Sequence, residues 1–362
     1  MNLESTAVVP AYRICHGQHG VGDPRGAAIA AWRGSLGDDD ALLGARYDAM
    51  CLHSPFGRPV LRFVEHVDDG IVGLLALAPR RMRAGGRELL AGVLSHLAIH
   101  PRHRSLGPAL MLLESVLAAA EQHFDLVYGI PNASQGANAA LRRAGLRPLA
   151  GMERSVRIVR HGHYLARRLP RLLAMPARVA GLAVDGGDAI MAAWRRLAGP
   201  RMRARWADRL EPAMDEVWSG AREHPALTAV RDETMLRWRF DQGVGMRIRY
   251  LLVEDETGRV QAWFACGTEP LWPHILEVHD FWSMDACDGI SPAPLRVLLR
   301  EARRQGYAAV GLRAAVGAGA AAPWRACGFR PRGEQQVVVR WIDPGLAADP
   351  PPLHLTYIDQ DG

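Results

Sequence analysis

The same order of hydrophobic patterns occurs twice along this chain of 362 residues, at a separation of about 180 residues. Each copy reads as a strand hairpin, a strand, a helix, a strand, a short helix and a final strand. The period is far longer than the roughly 20–50 residues of a solenoid unit, and the chain is longer than a single core of about 250–300 residues. The sequence therefore predicts a duplicated domain.

In the first copy, apolar segments separated by turn residues predict antiparallel strands, and leucines at helical spacing predict a helix of about four turns. A buried strand and a second helix, ended by Gly145, come next. This order is typical of an α/β (α+β) domain with a mixed sheet. The predicted strands are 60–67, 70–79, 89–101 and 124–131, and the predicted helices are 102–123 and 132–145.

The two copies are joined by a region of different composition. Residues 161–210 contain ten Arg against three acidic residues, so most of the net charge of +6 lies there. We expect this region to form basic helices, including one over 189–210, that are broken at proline residues. The predicted division is a first domain over 1–160, a basic helical linker over 161–215, a second domain over 216–345 and a C-terminal tail over 346–362.

The basic segment 161–210 has two interpretations. It packs between the domains with its guanidinium groups solvated or paired, or it makes a peripheral contact with an anionic membrane. In the second case Trp194 or Trp206 would enter the membrane interface. The headgroups would then meet Arg167, Arg168, Arg171 and Arg178.

Composition excludes several other classes of protein. There is no basic face interleaved with aromatic residues, so we expect no nucleic-acid partner. No segment approaches the roughly 18 uninterrupted apolar residues of a membrane span, and the first residues lack a signal-peptide pattern, so we expect a cytoplasmic protein. The five cysteines are scattered and never in C-x-x-C spacing, which predicts neither a disulfide framework nor a metal site.

The segment Arg104–Ala109 connects an apolar strand to the start of the long helix. Backbone amides in a first helical turn have no intrahelical partner, and the helix dipole adds about half a positive charge there. Gly107 and the small Ala109 would let a diphosphate approach the backbone closely. The segment therefore predicts a binding site for the diphosphate of a nucleotide.

Arg104, Gly107 and Ala109 resemble the motif of the GNAT superfamily of acyl-CoA-dependent N-acyltransferases, which is Arg or Gln, two residues, Gly, one residue, then Gly or Ala. Asn132 is similar to the Asn of the family's later helix. Ala144-Gly145-Leu146 is similar to the turn that ends this helix, with Leu146 in place of the usual Phe. The resemblance implies two GNAT-like domains in tandem and the transfer of an acyl group, expected to be acetyl, from CoA to a primary amine.

The resemblance also implies where acetyl-CoA, or another acyl-CoA, binds. Pro108 removes one amide from the predicted cradle, although proline is well tolerated in a first helical turn. Arg102, Arg142 and Arg143 are further candidates for the phosphates. The expected cofactor-binding residues are Leu97, Ala98, Ile99, Arg104, Ser105, Leu106, Gly107, Pro108, Ala109 and Asn132.

The second copy lacks this motif before its helix at 292. Asp285 and Asp288 precede that helix, and their negative charge would oppose phosphates. Cys327-Gly328-Phe329 nevertheless keeps the family's Gly-Phe ending. We therefore expect a degenerate second GNAT-like domain and one acyl-CoA site per chain.

Acyl transfer to an amine needs a base for the amine, stabilisation of the oxyanion and an acid for the leaving thiolate. Strand alternation predicts that His96 lies on one face of the strand and Ser95 on the other. An imidazole titrates near neutral pH, so His96 is the candidate base, with a hydrogen-bonded histidine of the cleft wall as the alternative. Leu141 occupies the position where the family often has a Tyr acid, which makes Tyr128 the candidate acid, with a core aromatic as the alternative.

The sequence leaves the acceptor open among amino sugars, amino acids, small amines and protein amines, and it does not predict the oligomeric state. A small-molecule amine or amino sugar is the expected partner. A non-catalytic binding module for CoA or a peptide is the alternative, because Leu141 replaces the usual acid. A fragment of residues 1–160 should keep some affinity for acyl-CoA but lose acceptor turnover, if the second domain supplies the other wall of the acceptor cleft.

Overall fold

The computed structural model describes residues 11–131, 135–168, 181–184, 186–187, 201–220, 224–241, 247–285 and 289–360. The first copy contains seven stretches of regular structure that the sequence patterns predict, and a set of N-terminal elements that they do not. Its strands are β1 (Tyr12–His16), β2 (Val60–His66), β3 (Gly70–Ala84), β4 (Arg87–Ile99), β5 (Leu126–Gly129) and β6 (Arg147–Ile158). Its helices are α1 (Gly17–Gly20), α2 (Pro24–Trp32), α3 (Asp40–Cys51), α4 (Leu106–Ala120), α5 (Gln135–Arg143) and α6 (His161–Arg168).

The second copy repeats this order from residue 203 onward. Its strands are β7 (Arg203–Ala207), β8 (Thr228–Ala229), β9 (Arg249–Glu254), β10 (Val260–Gly267), β11 (Ile275–Ser283), β12 (Ala309–Val316), β13 (Arg330–Trp341) and β14 (His354–Thr356). Its helices are α7 (Pro212–Gly220), α8 (Glu233–Leu236), α9 (Pro292–Arg304), α10 (Ala318–Ala326) and α11 (Pro344–Ala348).

The strands form one 14-stranded mixed sheet, in the order β1-β2-β3-β4-β5-β13-β6-β12-β11-β10-β9-β7, with β8 beside β3 and β14 beside β12. The pairs β4·β5 and β11·β12 are parallel, and the other pairs in this order are antiparallel. The predicted α/β fold class with a mixed sheet is confirmed. The predicted duplication is visible in the strand order, which reads the same inward from both edges.

The two copies exchange their last strands at the centre of this sheet. Strand β6 is the last strand of the first copy in sequence, but it pairs with β12 and β13. Strand β13 ends the β-sheet repeat of the second copy, but it pairs with β5 through Val338 opposite Gly129 and Trp341 opposite Leu126. Each half of the sheet is therefore completed by a strand from the other copy.

Helices cover both faces of each half. In the first half, α4 and α5 bury Leu113 and Leu141 on one face, and α2 and α3 bury Trp32 and Leu43 on the other. The second half is arranged in the same way, with α9 and α10 over one cluster and α7 and α8 over another. Helices α2 and α3 begin after Asp23 and Asp39, whose side chains accept backbone N–H groups of the first turn, and this capping signal could have predicted them.

The predicted helix over 189–210 is wrong at residues 203–207. These residues form β7, which pairs with β9 at the edge of the sheet. Trp206 alternates with its arginine neighbours, packs against the second-half core and lies under the Arg249 guanidinium at 5.0 Å. Arg205 pairs with Glu254 at 2.7 Å. Period-two alternation of arginine with Ala204 and Trp206 is the strand pattern that the high Arg content of the segment obscured.

Most of the remaining basic segment, including Trp194, Arg171 and Arg178, lies outside the described residues, and its membrane contact stays a prediction. In the part of the chain that the structure describes, no helix is both long and apolar enough to cross a bilayer. The four cysteines in that part are free thiols, three of them buried. The predicted domain boundaries also stay predictions.

The C-terminal segment 346–362 includes β14 and a turn that is buried in the sheet. Arg231, Asp280 and Asp359 meet there with side chains that are 0% exposed. The Arg231 guanidinium donates to Asp280 at 3.0 Å and to Asp359 at 3.0 Å, and the Thr356 hydroxyl donates to Asp280 at 2.7 Å. Buried charges of this kind require partners, so the ion pairs hold the segment in place.

The strand exchange reverses the expectation for a fragment of residues 1–160. Without residues 309–341, which contain β12 and β13, β5 presents an unpaired edge and β6 has neither of its neighbours. We expect the fragment 1–160 to be unfolded or aggregated when it is expressed alone, and to co-purify as a folded complex when it is expressed together with 161–362. Size-exclusion chromatography and amide NMR dispersion measure both outcomes. A folded, monomeric 1–160 fragment would contradict the exchange.

Candidate functional site

A β-bulge interrupts β4 just before its end. Leu74 of β3 lies opposite Ala98, and Ala76 lies opposite Ser95, so two residues of β4 face one of β3. The first of these two, His96, has a φ of +57°, in the left-handed region that few residues other than Gly occupy. The backbone of β4 therefore changes direction at the residue that sequence analysis singles out as the candidate base.

His96 lies on the face of the sheet covered by α2 and α3. Its ring centroid is 5.0 Å from that of Trp32, whose indole N–H donates to the His96 carbonyl at 3.3 Å. Ser95 lies on the same face, with its Oγ 3.7 Å from the Sδ of Met50. The prediction that Ser95 and His96 face opposite sides is wrong, because the bulge breaks the alternation on which it rests.

Strands β4 and β5 pair only in their first part. Their parallel ladder runs from Ala91 opposite Leu126 to Val93 opposite Tyr128, and β4 continues beyond it to Ile99. The predicted residues Leu97, Ala98 and Ile99 lie on this continuation, with Leu97 as the second residue of the bulge. An extended ligand could form backbone hydrogen bonds along this edge of β4, as an added strand would.

The loop after β4 leads into the N-terminus of α4. Ser105 is the N-cap residue, and within the described part of the chain its side chain makes no capping hydrogen bond. Gly107 is exposed, and a Cβ atom built on it would have no described atom within 4 Å. Because Gly107 has no side chain, the approach to the first-turn amides is open on this side. Leu106 is half-buried there, and Pro108 and Ala109 are buried at the base of the same turn.

Arg104 braces this loop from its outer side. Its Nε donates to the Ile99 carbonyl at 3.0 Å and its Nη2 donates to the Ser35 hydroxyl at 2.9 Å. The loop is thereby tied both to β4 and to the segment between α2 and α3. Arg102, Arg142 and Arg143 are exposed, while Asn132 lies outside the described residues.

Tyr128 is the last residue of β5 that pairs with β4. Its side chain is 1% exposed, and its hydroxyl donates to the Asp359 carbonyl at 3.2 Å. To act as an acid, Tyr128 would have to release this bond. Leu141, at the family's usual Tyr position, is buried against α4 in the first-half core.

Comparisons with known proteins agree with this architecture. No protein-family model matches the sequence, and no curated protein matches it either. A conserved protein of unknown function from Enterococcus faecalis V583, described as a probable N-acyltransferase, superimposes with a TM-score of 0.63 over 92% of this chain and 72% of that one, at 9% identity. A GCN5-related N-acetyltransferase from Anabaena variabilis gives 0.59 over 91% and 73%, at 13% identity.

Saccharomyces cerevisiae N-myristoyltransferase with bound myristoyl-CoA gives a TM-score of 0.53 over 93% of this chain and 84% of that one, at 10% identity. The chain has the GNAT fold. The resemblance expected from Arg104, Gly107 and Ala109 is thus confirmed for the fold. At these identities the comparisons show the architecture and not the reaction.

The second copy of the GNAT fold has a bulge at the corresponding place. Ala265 of β10 lies opposite Asp280, and Cys266 lies opposite Val278, so His279 is the extra residue on β11. The ladder of β11 with β12 ends at Val278. Sequence analysis missed this equivalence. The signal for it was that β4 and β11, the strands that precede the helices α4 and α9, each contain a histidine.

Beyond this second bulge, β11 and β12 no longer pair. The gap between these two strands contains the C-terminal segment. Strand β14 pairs with β12 through Ala314 opposite Thr356, and the Tyr357 ring lies 4.7 Å from that of His279. Burial lowers the pKa of His279 to about 4, and burial together with Asp359 raises the pKa of Asp280 to about 6 although Arg231 lies against it. His279 is therefore a neutral, enclosed side chain at neutral pH. The absence of a second acyl-CoA site stays a prediction. The C-terminal segment in this gap supports it, because the segment takes the space that a ligand would need.

Proposed function

We propose that the chain is an N-acyltransferase that moves an acyl group from CoA to a primary amine. The observation that supports this proposal most strongly is the continuous path formed by the edge of β4 past the bulge and the open N-terminus of α4. The similarity to Saccharomyces cerevisiae N-myristoyltransferase with bound myristoyl-CoA supports an acyl-CoA as the donor. We further propose acetyl as the acyl group and a small amine or amino sugar as the acceptor.

The N-terminus of α4 would bind the diphosphate. Unpaired first-turn amides and the helix dipole favour an anion there, and the missing side chain at Gly107 lets it approach the backbone. The Arg104 guanidinium is bonded to the Ile99 carbonyl and the Ser35 hydroxyl, so its main contribution is to position the loop. The β4 edge from Leu97 to Ile99, apart from the Ile99 carbonyl that already accepts from Arg104, would hold the extended arm of the donor by backbone hydrogen bonds.

The bulge would place the reacting thioester next to His96. His96 serves as the base that removes a proton from the acceptor ammonium, directly or through one water molecule. Trp32 restricts the ring, because the indole lies against the imidazole with 5.0 Å between centroids and 41° between ring planes. Tyr128 is the proposed acid for the thiolate and Asn132 a proposed donor contact. Contact of 161–210 with an anionic membrane is a separate proposal.

Gly107→Glu should weaken the binding of CoA and acetyl-CoA at least about 100-fold, since it adds bulk and negative charge where the diphosphate lies. The fold should survive, because Glu is favourable in the first turn of a helix and the added side chain meets open space. Gly319→Glu is the matched control: Gly319 is also the second residue of its helix, α10, and also faces open space.

Isothermal titration calorimetry measures this prediction. We expect about one equivalent of CoA per chain for the wild type and for Gly319→Glu, and no measurable binding for Gly107→Glu. Two equivalent sites, or unchanged affinity in Gly107→Glu, would contradict a single site at α4.

His96→Asn should lower kcat by about 100-fold or more with little change in KM, and should remove one ionisation from the pH dependence of kcat/KM. Asn tolerates the left-handed backbone conformation at this position, so the bulge should persist. His100→Asn, four residues further along the chain, is the control and should keep the wild-type pH profile. Thiol release from acetyl-CoA with a panel of amines measures both, and an unaltered profile in His96→Asn would remove the catalytic role.

A further inference from the structure

Three potential metal ligands that are distant in the sequence meet beside the loop that precedes α4. His66 ends β2, Asp69 lies in the turn between β2 and β3, and His103 ends the short 3-10 helix Pro101–His103. His103 is buried, His66 is half-buried and Asp69 is 38% exposed at its side chain. The cluster therefore has an enclosed side and a side that faces solvent.

The ligand atoms have the separation that a small divalent ion requires. The Oδ2 of Asp69 is 3.0 Å from the Nε2 of His103 and 3.6 Å from the Nδ1 of His66. All three ligand atoms lie within 4.8 Å of one another. Tetrahedral zinc, with bonds of about 2.0–2.1 Å to imidazole and carboxylate, places neighbouring ligand atoms about 3.3 Å apart. Small rotations of the side chains would bring each atom onto one ion.

We propose that His66, Asp69 and His103 bind a divalent transition-metal ion of the zinc class, with water as the fourth ligand. Two imidazoles and one carboxylate are a donor set that zinc and its neighbours prefer over magnesium or calcium. The exposed side of Asp69 leaves room for the water. The expectation from sequence that the chain has no metal site rested on its cysteines, and the histidines are too far apart in sequence to form a recognisable motif.

A second shell that suits this role is already in place. The Tyr12 hydroxyl lies 3.0 Å from the Nδ1 of His103, so His103 can donate its Nδ1 proton to Tyr12 while its Nε2 binds the ion. The Tyr12 ring also packs edge-on against His66, with 5.0 Å between centroids. Ion binding would replace two described hydrogen bonds, the one from the Asp68 N–H to the His66 Nδ1 at 3.3 Å and the one between the His103 Nε2 and the Asp69 Oδ2 at 3.0 Å.

The ion would connect the β2–β3 turn to the chain just before Arg104. Residues 101–103 lead directly into the loop that opens α4, so the ion would hold the start of that loop against the first half of the sheet. This role is structural, and it does not depend on the reaction proposed above.

Cobalt(II) titration of tag-free protein, stripped of metal with a chelator, tests the site. We expect one equivalent of Co²⁺ to give the visible absorption of a tetrahedral nitrogen and oxygen site without a thiolate charge-transfer band, and Zn²⁺ to displace it and raise the melting temperature. Asp69→Asn should bind at least 100-fold more weakly. Tyr12→Phe should lose about tenfold, as second-shell changes do.

His123→Gln, which removes an exposed histidine at the end of α4, is the matched control and should bind like the wild type. Asn at position 69 can still hydrogen-bond His103, so the melting temperature of metal-free Asp69→Asn should stay near that of the metal-free wild type. Equal Co²⁺ affinity in Asp69→Asn and the wild type, a thiolate band, or no binding by the wild type would overturn the proposal and leave the cluster as a hydrogen-bond network.

Discussion

The antiparallel pairing of β6 with β13 is the interaction on which both halves of the molecule depend. It runs from Arg147 opposite Val339 to Val156 opposite Arg330 at the centre of the sheet. Each of these strands also closes the half to which it does not belong by sequence. A change in this pairing would shift β5 and β12 together, and these are the strands that border the two gaps.

Each half has a bulge and, beside it, a gap between two parallel strands, β4 and β5 in the first half and β11 and β12 in the second. The two gaps differ in what they contain. In the first half, β4 diverges at His96, and among the described residues no strand takes a place beside β5 equivalent to that of β14 beside β12. In the second half, Arg231 and its two carboxylates hold the C-terminal segment next to His279. The second-half gap is therefore filled by packing, whereas the first half has an accessible helix N-terminus at Gly107.

Local patterns in the sequence predict most of the first-half elements and the loop at Arg104, because hydrophobic period and glycine placement act within a few residues. They do not predict the strand exchange, since the choice of β13 as the neighbour of β5 depends on contacts about 200 residues apart. The alternation rule fails at Ser95 because it assumes an unbroken strand, whereas His96 adopts a positive φ. The cluster of His66, Asp69 and His103 escapes detection for the same reason as the exchange, because Asp69 and His103 meet only in the folded sheet.

The proposed position of the donor, along β4 and the start of α4 in the first half, can be tested by hydrogen–deuterium exchange with and without saturating CoA. The method suits this question because the proposed ligand contacts are made by backbone amides. We expect added protection in peptides covering residues 94–110 and none in peptides covering 278–293. Protection confined to 278–293, or equal protection of both segments, would contradict it.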